Sequence, residues 1–227
     1  MVVVERSEVK STVSCPILHT SSTVCLVGAG PATSAIIQST AAYADTVVAA
    51  DGGFQSARAA SLDVALVVGD MDSQTDWPAA QAIAKIDDQE TTDFEKCLRV
   101  CAADIFLGVG FLGGRLDHQL AAFSALLKEP RPVVLIDEDQ LVFVVPMQFQ
   151  MDLEANSPLG FYPMLPVQVT LEGVQWPLQD VEMHPTGQIA TSNMSNGELL
   201  HVQVDGPGLL AIMPACHLSS VLEALRN

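Results

Sequence analysis

Basic residues are scarce in this chain: 10 lysines and arginines stand against 27 aspartates and glutamates, a formal net charge of −17. A surface so acidic repels nucleic-acid phosphates and anionic lipid headgroups, which argues against nucleic acid and membrane as partners. Long apolar runs are missing too, so no membrane span is expected. Glu5, Arg6, Glu8 and Lys10, close behind Met1, leave no apolar signal-peptide core. The five cysteines show neither CxxC nor Cys/His metal spacing, which excludes a zinc ribbon and a disulfide framework. Cys97 and Cys101, one helical turn apart, read as filler of a helix face, and reduced thiols in a cytoplasmic protein are expected. No GxxxxGK[ST] phosphate loop occurs anywhere.

What is present is enough apolar material, 49% of residues, for a sizeable core. Residues 1–22 are polar and mixed and read as a loosely held leader. From Thr23 the chain alternates short apolar runs with helical segments: TVCLVG, a helix from about Ala32, Thr46–Ala50, a helix over Phe54–Ala60, and Ala65–Val68. Pro78, favoured in a first helical turn, predicts a further helix there. A helix opening in the acidic stretch Asp87–Lys96, a strand Asp104–Val109, a helix to Lys128 and a strand Val133–Ile136 follow. Recurring strand–loop–helix units imply crossover connections and a parallel sheet. Near Gln140 the pattern changes to short alternating stretches punctuated by proline and glycine, with a helix only at the very end. The expected architecture is therefore α/β: a parallel-sheet domain over residues 23–140, then a smaller antiparallel β-sandwich over 141–227.

The chemistry gathers where strands should end. Gly28-Ala29-Gly30 after the first strand invites a dinucleotide reading, but Thr33 occupies the place of a third glycine, and a tight strand-to-helix turn is the simpler account. After the strand at 65–68, Gly69 is read as allowing a sharp turn, and Asp70 and Asp72 emerge together. Two crowded carboxylates repel unless a cation sits between them, and oxygen-only ligands suit Mg²⁺. Asp51-Gly52-Gly53, Gly113-Gly114-Arg115-Leu116-Asp117-His118 and the segment carrying Asp93 and Lys96 would share the same rim. Carboxylates, cations and glycines so placed suit a magnesium–nucleotide complex, in which catalysis is mostly positioning and charge neutralisation.

ADGG, GDMDS, DQETTDFEKCL and GGRLDH, in this order, resemble the catalytic domain of the thiamine pyrophosphokinase (thiamine diphosphokinase) family. Gly173-Val174-Gln175-Trp176-Pro177-Leu178 and Thr191-Ser192-Asn193 resemble that family's thiamine-binding β domain. The resemblance spans roughly residues 45–213. It implies a homodimer with sites shared between subunits, which transfers a pyrophosphoryl group from ATP to the hydroxyl of thiamine and releases AMP. It further implies that Asp70, Asp72 and Asp93 hold Mg²⁺, and that Asp51, Gln89, Lys96 and Arg115 line the ATP phosphates. Asp117 would stand where nucleotide and thiamine meet, and Trp176, Ser192 and Asn193 would form the thiamine pocket. Ala190 departs from the family, whose members often carry a hydroxyl there.

Plainer readings stand beside these. Trp176 alone would more often be a core or interface residue, and Asp117 could simply cap the following helix. A DxD after a buried strand also fits a phosphatase-type hydrolase whose first Asp is a covalent nucleophile, but this leaves TTDFEK and GGRLDH without a role. A non-catalytic sensor of a nucleotide or thiamine diphosphate would have no need of three metal carboxylates.

Overall fold

The computed structural model describes residues 3–4, 18–19, 22–73 and 78–226. It divides into two units, Met1–Glu138 and Asp139–Asn227. Most of the expected leader lies outside the described residues. Val3–Val4 pairs with Leu18–His19, which runs parallel to Cys101–Ala102.

In the first unit the apolar runs form parallel strands: β1 (Thr23–Val27), β2 (Thr46–Ala50), β3 (Leu66–Gly69), β4 (Ile83–Lys85), β5 (Ile105–Val109) and β6 (Val133–Ile136). Their order across the sheet is β6-β5-β1-β2-β3-β4. Helices α1 (Ser34–Ala41), α2 (Gly53–Ala59), α3 (Asp93–Val100) and α4 (Leu116–Lys128) make the connections. Strands β1, β3, β5 and β6 are buried at every residue, as a sheet covered on both faces requires. Chain order reverses at β1, which lies between β2 and β5. A crevice forms at such a switch point, outside the carboxyl ends of the strands. Gly28 and Gly110 line it at close quarters: the Gly28 amide donates to Val109 (2.8 Å) and the Gly30 amide to Gly110 (2.9 Å). A Cβ on Gly28 would stand 2.5 Å from the Gly110 oxygen, so both loops need glycine.

The helix expected at Pro78 does not form. The chain turns there and adds β4 to the edge of the sheet, with the Val67 amide donating to Ala82 and the Ile86 amide to Gly69. Proline tolerates a first helical turn but does not nucleate one, and pairing with the open edge of β3 outweighs the helix propensity of the alanines. The helix in the acidic stretch begins at Asp93 rather than earlier. Thr92 and Glu95 form a reciprocal capping box, and Asp88 folds the preceding turn by accepting from the Glu90 amide and the Thr91 hydroxyl.

The far end of α3 is held by Arg131. Its Nη1 and Nη2 donate to the Cys101 and Leu98 carbonyls (both 2.7 Å), its Nε to Glu129 (2.6 Å), and its guanidinium lies over Phe106. Arg131→Met keeps the packing but strands the mostly buried Glu129 carboxylate and two helix-end carbonyls. The expected cost is about 3 kcal/mol, read as a lower denaturant midpoint for the first unit.

The second unit pairs two antiparallel sheets. One has the order β12-β9-β14-β7, built from β7 (Gln140–Val144), β9 (Pro158–Pro163), β12 (Ala190–Met194) and β14 (Leu209–Pro214). The other has the order β8-β13-β10-β11, from β8 (Gln148–Met151), β10 (Val167–Glu172), β11 (Leu178–Met183) and β13 (Leu200–Val204). Phe143 of the first sheet meets Phe149 of the second at 5.1 Å between ring centroids, within a buried core, and α5 (Leu218–Arg226) packs on β8. The expected β-sandwich is what these residues build.

Candidate functional site

A cavity of about 680 Å³ opens over the β1–β5 crevice, large enough for a nucleotide. Its wall takes residues from the ends of four strands and the starts of two helices, because all those ends share one rim of a parallel sheet. At its centre three carboxylates converge. Asp51, Asp70 and Asp93 each bring an oxygen within 4.8 Å of the others.

Each is placed by a local device. Asp51 follows β2 with φ +32° and is buried; Ser73 fixes its carboxylate, donating from Oγ to Oδ1 (2.8 Å) and from the amide to Oδ2 (3.2 Å). Asp93 is the first residue of α3, where the positive helix end favours a carboxylate. Asp70 follows β3, and the sharp turn beyond it falls at Met71, with φ +66°. Gly69 is therefore not the turning residue expected from the sequence. It supplies space: a Cβ there would stand 2.7 Å from the Asp51 Cβ and 3.2 Å from the Asp93 carboxyl.

The other expected site residues fall as follows. Lys96, one turn into α3, is buried and holds Asp93 Oδ1 at 3.0 Å. Gln89 and Arg115 line the cavity. Arg115 forks onto Asp117, Nε to Oδ1 at 3.1 Å and Nη2 to Oδ2 at 2.5 Å, and both side chains are exposed. This pairing holds the Asp117 carboxyl below the usual range. Asp117 also sits in the first turn of α4, but Arg115 is the capping residue there and makes no side-chain cap. Asp72 is exposed and stands outside the convergent trio; the Asp70 carboxylate first, and Asp51 with it, raise its carboxyl above the ordinary value. Asp51, by contrast, joins the trio, although the sequence pointed to phosphate contact only.

Three features in and around the cavity were not anticipated. Ser73 orients Asp51, Phe111 lines the wall while packing 4.5 Å from Phe94, and Glu138 accepts from the Thr33 amide (2.9 Å) at the start of α1. That amide in turn holds the Glu138 carboxyl below its usual range. The serine of GDMDS was the available signal for the first of these.

In the second unit Trp176 is 57% exposed and Ser192 is exposed in a left-handed conformation (φ +61°). Asn193 is buried and hydrogen-bonded to the backbone of Trp176.

Among the described residues, three hard oxygen donors with Lys96 paired to one of them leave an excess of negative charge, and the set fits a small divalent cation. Burial pushes the Cys25 and Cys101 thiols up to about 12, so these cysteines pack rather than react. Among the described residues no helix is long and apolar enough to cross a membrane.

Comparison with known proteins bears on both units. The family described as thiamin pyrophosphokinase, catalytic domain, matches residues 37–135, and its vitamin B1 binding domain matches residues 147–209. Thiamine pyrophosphokinase 2 of Arabidopsis thaliana is 28% identical over 172 residues, and its counterpart in Oryza sativa subsp. japonica is 31% identical over 172 residues. Each match takes in 65% of this chain and 64% of the relative's length, so the chain spans somewhat less than two thirds of these relatives. Among solved structures, thiamin pyrophosphokinase from Candida albicans superposes with a TM-score of 0.73 at 16% identity, covering 94% of this chain and 98% of that one. The enzyme from Geobacillus thermodenitrificans gives 0.70 at 21% identity, covering 85% and 97%. These structures speak for the fold, whereas the two domain families, matched in order along the chain, decide the membership. With both halves accounted for in sequence, this chain belongs to the thiamine pyrophosphokinase family.

Proposed function

We propose that the protein transfers the pyrophosphoryl group of ATP to the hydroxyl of thiamine, with Mg²⁺ as cofactor, giving thiamine diphosphate and AMP. The observation that carries this reading is the convergence of Asp51, Asp70 and Asp93 beside buried Lys96, over a crevice built from glycines. Asp51, Asp70 and Asp93 would hold Mg²⁺, with Asp72 adding its charge from outside, and the ion supplies neutralisation of triphosphate charge. Lys96, Gln89 and Arg115 bind the phosphate oxygens. The thiamine hydroxyl oxygen attacks the β-phosphorus and releases its proton to solvent, the bond from that phosphorus to the oxygen bridging the α-phosphate breaks, and AMP departs with that oxygen. Asp117 stands at the meeting of the two substrates. Trp176 offers an aromatic face to an electron-poor pyrimidine or thiazolium ring, and the exposed Ser192 would contribute its hydroxyl to the same pocket. The protein works as a cytoplasmic homodimer in this reading, in keeping with the unbridged cysteines among the described residues.

Purified protein given ATP, Mg²⁺ and thiamine should yield AMP and thiamine diphosphate in equal amounts. ADP or free phosphate as the stoichiometric product would defeat the proposal, and a phosphoenzyme on Asp70 would favour a hydrolase instead.

Arg115 gives a sharper test. Its two-point grip on Asp117 is the geometry a pair of phosphate oxygens would exploit, and a lysine ammonium cannot reproduce it. Arg115→Lys should lower kcat/KM by roughly 10- to 100-fold, the scale of a lost charge-assisted contact. Unchanged kinetics would return Arg115 to the surface.

A further inference from the structure

Trp176 lies in the loop between β10 and β11, and at 57% exposure it has little packing to fix its ring. Its backbone is held from one side by β12. Val174 bridges Ser195, and the Gln175 amide donates to the Met194 carbonyl at 2.8 Å. The next rung of this antiparallel ladder would join Trp176 to Asn193, but Asn193 already pairs with Leu159 of β9 on its other side. Its side chain makes the rung instead. Nδ2 donates to the Trp176 carbonyl (2.9 Å), while Oδ1 accepts from the Trp176 amide (3.3 Å) and from the Met194 amide (2.9 Å). A primary amide carries the same donor and acceptor as a peptide group, so it extends the ladder by one residue. Asn193 is only 3% exposed, and both acceptor sites of its oxygen are taken. Immediately before it, Ser192 adopts φ +61°, and the β9–β12 register shifts between Leu159 and Phe161. A bulge of this kind turns a strand aside and re-aims its side chains.

We infer that Asn193 is a positioning residue, which fixes the backbone beneath Trp176 and thereby the pose of the indole, and does not itself contact thiamine. The inference rests on the thiamine-stacking role proposed for Trp176, and it revises the role that the sequence resemblance implied for Asn193.

Trp77 and Trp176 are the two tryptophans, so a Trp77→Phe chain leaves Trp176 as the sole indole emitter. In that chain, free of ligand, Asn193→Ala should lower the fluorescence anisotropy of Trp176. In turnover, Asn193→Ala should raise the thiamine KM about tenfold, as loss of paired buried hydrogen bonds would, and leave the ATP KM unchanged. In a Trp176→Ala background the same substitution should add less than about twofold, because both changes act through one ring. Asn193→Asp retains the acceptor and loses the donor to the Trp176 carbonyl; it carries the same comparison if the alanine variant fails to fold. Unaltered anisotropy, or a tenfold effect that persists without Trp176, overturns the proposal. If Trp176→Ala alone leaves the thiamine KM unchanged, the stacking role falls and the substrate-facing half of the inference falls with it. Anisotropy distinguishes that outcome from the loss of the clamp itself.

Discussion

Asp70→Asn and Asp93→Asn should each reduce turnover by at least roughly 100-fold, the scale on which removal of one preorganised charged group is felt, yet differ in stability. Asp70 stands among like charges, with Asp51 and Asp93 within 4.8 Å and Asp72 close by. Removing its charge relieves repulsion, so the cation-free Asp70→Asn protein should unfold at the wild-type temperature or above it. Asp93 is instead the ion-pair partner of Lys96, whose side chain is 3% exposed. An asparagine there still accepts a hydrogen bond but leaves the buried ammonium without its direct ion-pair partner, a loss of about 1–2 kcal/mol. Sequence alone would treat the two variants as equivalent, both leaving the fold intact. Thermal melts in chelator, beside steady-state rates at saturating Mg²⁺, separate them. Near-normal rates in either variant would remove that residue from the proposed metal set.

Gly53→Ala should be the most damaging single methyl in the first unit. Gly53 opens α2, and a Cβ there would stand 1.9 Å from the Val27 carbonyl oxygen and 2.6 Å from its carbon. Both atoms are backbone at the end of a fully buried strand, so no side-chain rotation can make room. The helix must lift or the end of β1 must shift, and either disturbs the crevice. A destabilisation of more than about 3 kcal/mol is expected, at the upper end of overpacking effects. Gly206→Ala is the matched control, because nothing lies within 4 Å of its added Cβ. Similar denaturation midpoints for the two variants would show that α2 yields more easily than its packing suggests.

The first sheet was readable because its interior strands are unbroken apolar runs that end in glycine and aspartate. Strand β4 was not: Ile83-Ala84-Lys85 is three residues long, shows no alternation, and follows an alanine-containing stretch that favours helix locally. In the second unit β9, β11 and β12 were not legible as strands: β9 carries proline at both ends and Gly160 between them, and most residues of β11 and β12 face solvent. The acidic rim was legible as a group, since a parallel sheet delivers all its strand ends to one side. Membership of the innermost trio was not legible. Asp51 and Asp72 are equally acidic in sequence, and only the absence of a side chain at Gly69 and the hydroxyl of Ser73 bring Asp51 inward.

The hydrogen bond from the Thr33 amide to Glu138 has a consequence for what the first glycine turn can accept. In dinucleotide-binding proteins the amides at such a turn greet a diphosphate from solution. Here an anion is already supplied by the same polypeptide, from just beyond β6. A tethered group competes at an effective concentration on the order of millimolar or more, and a free phosphate must also approach the carboxylate it would replace. One amide beyond that turn is thus already engaged by a carboxylate of the same chain, and any anion arriving there would have to displace it.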